Sequence, residues 1–349
     1  MKHQKKLEQT YLTLSFMSGI VELGSIVLMI AISNSLVKIL ITGLFYQIGN
    51  LLSSTVRLSK KKVQIILFVA LLFSIAFYFY ETPFFLYFTI GIASWGIQKM
   101  RRLTKVLISD SSPVSTFTKR LVRIGGFLIA GIVTTKILTI VIGGLLLIAI
   151  DLALSTNIDW RDAPPILKPK RSHLSDIMTI HQSHYFSYAY LIPIVLIMNL
   201  GVPAQTIGAL FIIGWISYIY SEQLLGKYES TSVFILGHIL VTFSLISIWL
   251  FSESLTGVLL FWFLSGFGGG TVFCIKRLNK YERTINKVRL DIWEDIGHVL
   301  GVVIVIFVGW ILDLHNGIDA FLISAMIAII TASLMLWYRL NLVYNGSKS

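Results

Sequence analysis

TNIDWRDAPPILKPKRSHLSDIMTIHQSHY, residues 155–184, is the longest polar stretch in the chain, with apolar runs in similar number on either side. It holds three of the seven prolines (Pro164, Pro165 and Pro169) and a basic cluster of Lys168, Lys170 and Arg171. Such a segment belongs in water, so it reads as a cytoplasmic connector between two membrane halves, 1–154 and 185–349.

The bulk composition agrees. Of the 349 residues, 55% are hydrophobic and 13% charged, and the mean hydropathy is +0.80. Soluble domains carry roughly 25% charged residues, so the solvent of this chain is the bilayer. A spanning helix takes about 20 apolar residues, which leaves room for about a dozen spans and little else. The net charge of +12 does not point to nucleic acid, because the basic residues sit in short clusters between apolar runs. The single cysteine, Cys274, excludes an internal disulfide and a cysteine metal site. The N-terminus, MKHQKKLEQ before an apolar run, looks like a signal peptide with Ala31-Ile-Ser33 as its cleavage site. The run is long, contains Glu22 and leads straight into another span, so it is kept as the first helix.

Candidate spans cover about 10–32, 36–56, 63–80, 84–99, 118–135 and 137–154, then 185–200, 204–221, 231–251, 255–274, 293–312 and 317–338. The connections alternate in character. Tiny ones such as Glu81–Pro83 and Ser252–Gly257 are poor in basic residues, whereas RLSKKK (57–62), 99–123, the connector, Gly226–Glu229 and Lys276–Arg289 are rich in them. Only Lys38 and Lys136 of the 29 Lys and Arg residues fall on the poor side. The positive-inside rule then puts both termini and the connector in the cytoplasm of a cell-membrane protein.

A shift of 175 residues lays Gly91 on Gly266, Arg101-Arg102-Leu103 on Lys276-Arg277-Leu278, Lys105 on Lys280 and Gly126 on Gly301. The matched spans are six apart, an even number, so the two copies run in the same direction, unlike inverted repeats. The expected fold class is therefore an all-α polytopic membrane protein of about twelve helices in two parallel six-helix repeats. At this level the whole chain resembles the major facilitator superfamily, as a short, divergent, bacterial-type member. The motif-level likeness is thin. Where the family has G-x-x-x-D-R-x-G-R-K between spans two and three, Leu52-Ser-Ser-Thr-Val56-Arg57-Leu-Ser59-Lys60-Lys61 keeps the basic residues but lacks both glycines and the aspartate.

Glu22 lies midway along the first span, where an ionisable group marks a functional site by default. Ser15, Ser18, Glu22 and Ser25 share helical spacing and form one polar stripe. A carboxyl held away from water prefers its proton, which suits loading and release. The family resemblance adds that first helices line the central cavity and that some proton-coupled exporters carry an acid there. The bland alternative is a protonated acid bonded between helices. On span two, Tyr46, Gln47, Asn50, Ser53 and Ser54 make a second polar face, read as cavity lining or interhelical bonding.

Span five starts with Lys119, Arg120 and Arg123, and span eleven with Asp291, Glu294, Asp295 and His298. The resemblance implies that span five faces span eight, ending in Glu222, and that span eleven faces span two, ending in Arg57 and Lys60. Basic meets acidic on both seams, the pattern of a cytoplasmic latch between halves. The alternative for span eleven is simple stabilisation of a helix start by acidic residues.

His181, His184 and Tyr188 share a face at the start of span seven and suit a proton or substrate role, or an ordinary interfacial one. Two histidines without a carboxylate or cysteine are a weak metal signal, and His238 reads as a satisfied interior residue, so no metal and no cofactor are expected. Gly266, Gly268, Gly269 and Gly270 allow close approach and bending in span ten, and Pro193 a kink in span seven. No nucleotide-binding motif and no nucleophile–base pair appears, so the chain is not read as an enzyme. The best reading is a monomeric secondary transporter working by alternating access, exporting a small organic or amphipathic solute against protons. The alternatives are an importer or lipid flippase of the same fold, or a non-transporting sensor or accessory protein.

Overall fold

The computed structural model describes residues 2–33, 35–108, 116–132, 135–155, 171–282, 290–311 and 317–346. Among these residues there is no strand, and every expected span falls on helix. The first part of the chain forms α1 (Lys2–Ile32), α2 (Leu36–Thr55), α3 (Lys60–Tyr80), α4 (Pro83–Leu107), α5 (Thr116–Ile132) and α6 (Thr135–Ser155). The rest forms α7 (His173–Ala189), α8 (Leu191–Ile194), α9 (Ile207–Leu225), α10 (Ser230–Leu250), α11 (Leu255–Gly269), α12 (Phe273–Glu282), α13 (Leu290–Ile311) and α14 (Ala320–Gly346).

Local chemistry sets the boundaries. Ser35, Ser59 and Ser254 cap α2, α3 and α11 by accepting from backbone amides of the first turn. Pro83 starts α4, where its missing amide costs nothing. Glu229 caps α10, its carboxylate accepting from the amides of Thr231 at 2.8 Å and Ser232 at 2.7 Å and from the Thr231 hydroxyl. Burial would push this carboxyl up, but those bonds prevail and hold it down at about 2. Both expected interruptions occur. Beyond Pro193 the helix loosens into a π turn over Val195–Asn199, and at the glycine run α11 tightens into a 3-10 turn, Gly270–Val272, before α12.

The connector is shorter than 155–184. Ser172 and Ser175 form a reciprocal capping box, and helix α7 starts at His173. From His181 to Ala189 every residue of α7 is buried. The His, Gln and Ser content that reads as water-exposed is instead packed among other helices. Pro164, Pro165, Pro169, Lys168 and Lys170 lie outside the described residues.

Eight segments are long and apolar enough to cross a membrane: Gln4–Ile32, Leu36–Thr55, Lys60–Tyr80, Lys136–Ser155, Ala204–Leu225, Ser230–Leu250, Leu255–Lys280 and Ala320–Asn341. Helices α4 and α7 are not among them. Burial differs among these spans. The apolar window of α1 is 83% buried and that of α3 only 28%, so Phe68, Leu72, Ile75 and Phe79 of α3 are left on the outside, as lipid contact requires.

The chain divides into two compact units, Met1–Ile166 with Val202–Ile212, and Leu167–Gly201 with Ile213–Ser349. In the first, α1 packs on α5, α2 on α4, and α3 on α4 and α6. In the second, α7 packs on α13, and α10 on α11 and α14. The glycines matched by the 175-residue shift occupy corresponding contacts. A Cβ on Gly126 of α5 would sit 2.2 Å from the carbonyl oxygen of Phe16 on α1, and one on Gly301 of α13 would sit 2.2 Å from that of Ser183 on α7. Likewise Gly49 and Gly91 close α2 on α4, and Gly214 and Gly266 close α9 on α11. In lipid, where apolar burial drives little association, such close backbone approach is the main cohesion.

Gly126→Ala and Gly301→Ala should each destabilise the detergent-purified protein by about 1–3 kcal/mol, the usual cost of overpacking, read as a lowered midpoint of thermal unfolding. Gly144, around which a Cβ meets nothing within 4 Å, should tolerate alanine. Because the Glu229 carboxyl is held below its ordinary value, its stabilising effect is complete above that value and fades as the pH falls toward about 2. The stability gap between wild type and Glu229→Ala should therefore shrink between pH 6 and pH 3.

Candidate functional site

The stripe expected on α1 is buried along its length: Ser15 and Ser18 are 1% exposed, Glu22 3% and Ser25 0%. Its members differ in what they do. The Ser15 hydroxyl donates to the carbonyl of Tyr11, and that of Ser25 to the carbonyl of Glu22, so both are served by their own helix. Ser18 and Glu22 reach across to neighbours. Arg123 of α5 donates through Nη2 to Glu22 Oε2 in an ion pair, and its guanidinium lies 5.7 Å from the Phe127 ring centre.

A guanidinium thus meets the carboxylate within the span. Arg123, assigned from the sequence to the latch, belongs with Glu22 inside the first unit. Gly19 and Gly126 cause the meeting, because without their small size α1 and α5 would stand too far apart.

Beside the pair, Gln98 of α4 donates from Nε2 to Ser18 Oγ at 2.8 Å and to the Tyr46 hydroxyl at 2.9 Å. The Ser18 and Tyr46 hydroxyls are themselves 2.8 Å apart. Ser94 donates to the Tyr46 carbonyl at 2.8 Å. Three helices thus share one buried polar network. Further along α4, Arg102 donates to Asn50 Oδ1 at 3.0 Å and Ser53 Oγ at 2.9 Å, and Lys99 donates to the carbonyls of Ser53 and Val56, where α2 leaves its last carbonyls without amide partners. Gln47 is buried on the same helix. The polar face of α2 is real, but its partners are α4 residues, Gln98, Lys99 and Arg102, that the sequence reading did not single out.

The second unit holds a different centre. His181 and His184 of α7 and His238 of α10 are all 0% exposed. His181 Nδ1 lies 2.8 Å from His238 Nε2 and 3.3 Å from His184 Nε2. His238 Nδ1 lies 2.9 Å from the carbonyl oxygen of Phe234, to which it donates. One ligand atom from each histidine can be chosen so that all three lie within 4.8 Å of one another. The expected face of α7 exists, with Tyr188 stacked on His184 at 6.0 Å. The missed member is His238, 57 residues from His181 in sequence, which no local pattern links to α7.

Of the remaining charged residues, Lys60, Glu294, Asp295 and His298 have contacts within their own units. Arg57 is exposed and Arg120 half-buried; Lys60 donates to the Leu154 carbonyl at 3.1 Å. Glu222 is exposed. Glu294 is bridged by Lys276 at 3.0 Å and accepts from Gln182 at 3.3 Å. His298 lies 3.1 Å from Gln182 Oε1 and 4.0 Å from the Asp295 carboxylate. The side chain of Lys119 lies outside the described residues.

Removing one partner of a buried ion pair strands the other charge. Arg123→Gln should therefore cost more stability than the double change Arg123→Gln with Glu22→Gln, by about 1–3 kcal/mol after allowance for the partial exposure of Arg123. Thermal unfolding of the four proteins of that cycle measures it; a loss in the double variant equal to the sum of the two single losses would mean the pair is not coupled.

No family model and no curated protein matches the sequence. Solved structures do match in fold. A structure of a bacterial metal transporter aligns with a TM-score of 0.69 at 13% identity, over 97% of this chain and 99% of that one. The nucleoside transporter NupG aligns at 0.68 and 13%, over 96% and 98%, and the POT family transporter PepTSo at 0.66 and 10%, over 97% and 98%. The chain has the fold of these transporters from end to end, the outcome that the facilitator resemblance implied.

Proposed function

We propose that the protein is a proton-coupled secondary transporter that works by alternating access and exports a small organic or amphipathic solute from the cytoplasm. The observation that carries the reading is the buried Glu22–Arg123 pair in a chain with this fold. A salt bridge inside a span is costly unless it has work to do. Here the carboxylate has two competing cations available, the guanidinium and a proton.

In the outward-facing stage a proton takes Glu22 and frees Arg123 from it. Deprotonation toward the cytoplasm restores the pair. Ser18, Tyr46 and Gln98 form a relay beside the acid, able to pass a proton or to orient a polar group of the solute. The pair carries no net charge, which supports a solute of low net charge. His184, Tyr188, Asn50 and Gln47 are further candidate contacts for it.

The twelve-span layout in two parallel repeats, with both termini cytoplasmic in the cell membrane, is part of this reading; the matching glycine contacts of the two units support it. So is the latch. Arg57, Lys60, Arg120, Glu222, Glu294, Asp295 and His298 exchange partners during the cycle, Lys60 giving up the Leu154 carbonyl and Glu294 giving up Lys276.

In liposomes loaded with a pH-sensitive dye, a panel of amphipathic cations and neutral organic solutes should include some that drive proton movement. Glu22→Gln should abolish that movement while leaving solute binding measurable. Coupled transport that survives the substitution removes Glu22 from the mechanism. For the latch, Glu294→Lys with Asp295→Lys should slow transport several-fold, and Arg57→Glu with Lys60→Glu should restore it. Failure of that rescue discards the latch and leaves the coupling site standing.

A further inference from the structure

The three histidines of the second unit have spare capacity that ordinary packing does not use. The Phe234 carbonyl can only accept, so His238 carries its hydrogen on Nδ1 and presents a lone pair at Nε2. The hydrogen in the 2.8 Å contact must then sit on His181 Nδ1. His184 Nε2, 3.3 Å from that same nitrogen, can do no more than share this hydrogen. Three ring nitrogens converge on one proton. On the far side of the rings, His181 Nε2 and His184 Nδ1 are buried without a hydrogen-bond partner.

We infer that His181 Nδ1, His184 Nε2 and His238 Nε2 form a binding site for one divalent transition-metal ion of the zinc class. With the His181 hydrogen moved to its unpartnered Nε2, a single cation meets all three lone pairs and leaves each imidazole neutral, whereas further protons would place like charges side by side in an apolar surround. The spacing fits. Ligands 2.0–2.1 Å from a tetrahedral zinc stand roughly 3.3 Å apart, against 2.8 and 3.3 Å between the ring nitrogens. The His238–Phe234 bond is the supporting contact that metal-ligating histidines usually have, fixing tautomer and ring orientation. Imidazole ligands select zinc, cobalt, nickel or copper over magnesium and calcium. Three protein ligands leave a fourth position open, as in sites whose ion is accessible rather than sealed.

The test uses full-length protein purified in detergent, stripped with chelator and titrated with Zn²⁺ or Co²⁺. One equivalent should bind per chain and raise the unfolding temperature, with no effect of Mg²⁺ or Ca²⁺ at the same concentration. X-ray absorption of the zinc-loaded protein should show at least three nitrogen neighbours with imidazole scattering. His181→Asn and His238→Asn should each weaken binding by more than the roughly 10–100-fold that loss of a supporting contact costs. His173→Asn, on an exposed histidine of the same helix, should leave it unchanged. Absence of stoichiometric binding by the wild type, fewer than three imidazoles on the metal, or full affinity in both cluster variants would each overturn the assignment. The absorption spectrum needs no variant, so the outcome is decisive even if a cluster variant fails to fold.

Discussion

A polar side chain in lipid has only other side chains and backbone carbonyls to bond with, since the hydrocarbon offers nothing. That constraint orders this molecule. Helices with clean apolar surfaces, α3, α6 and α10, carry exposed Phe, Leu and Ile. The more polar helices α4 and α7 are held against α1, α2 and α3 and against α13 and α14, respectively. The polar centres arise where these helices meet, so the interior arrangement of the bundle and the location of its chemistry have the same cause.

The two centres answer that constraint in different ways. In the first unit an ion pair and a four-member network of Ser18, Tyr46, Gln98 and Ser94 link α1, α2, α4 and α5. In the second, three imidazoles face one another with too few hydrogens among them. A matched pair can be exchanged by a proton; an unmatched set of lone pairs attracts a cation. Coupling is the role proposed for the first and ligation for the second.

Hydropathy and loop charge made the helices legible, because span length and the placement of Lys and Arg follow directly from the bilayer. Glu22 stood out for the same reason, as a carboxyl in an apolar run. Its partner did not. Arg123 lies 101 residues away at the end of a basic segment, where its charge reads as topology. His238 was hidden differently: a lone histidine in an apolar helix has no periodic companion, and only the packing of α7 near α10 gives it two. The start of α7 was misplaced because buried histidine, glutamine and serine look like solvent-exposed residues until their partners are known.

The sequence shift finds only part of the likeness between the two units. Gly126 and Gly301 are 175 positions apart, but the carbonyls they touch, Phe16 and Ser183, are 167 apart. The offsets differ, so an ungapped shift that fits α4 and α5 cannot fit α1. What the two contacts share is backbone against glycine, which depends on size alone. What differs is the chemistry one turn away. Arg123 binds Glu22, whereas His298, at the corresponding place in α13, meets Gln182. Helix spacing is set by residues that carry no function, which leaves the polar residues between them free to diverge, and this is how one scaffold comes to hold two unlike centres.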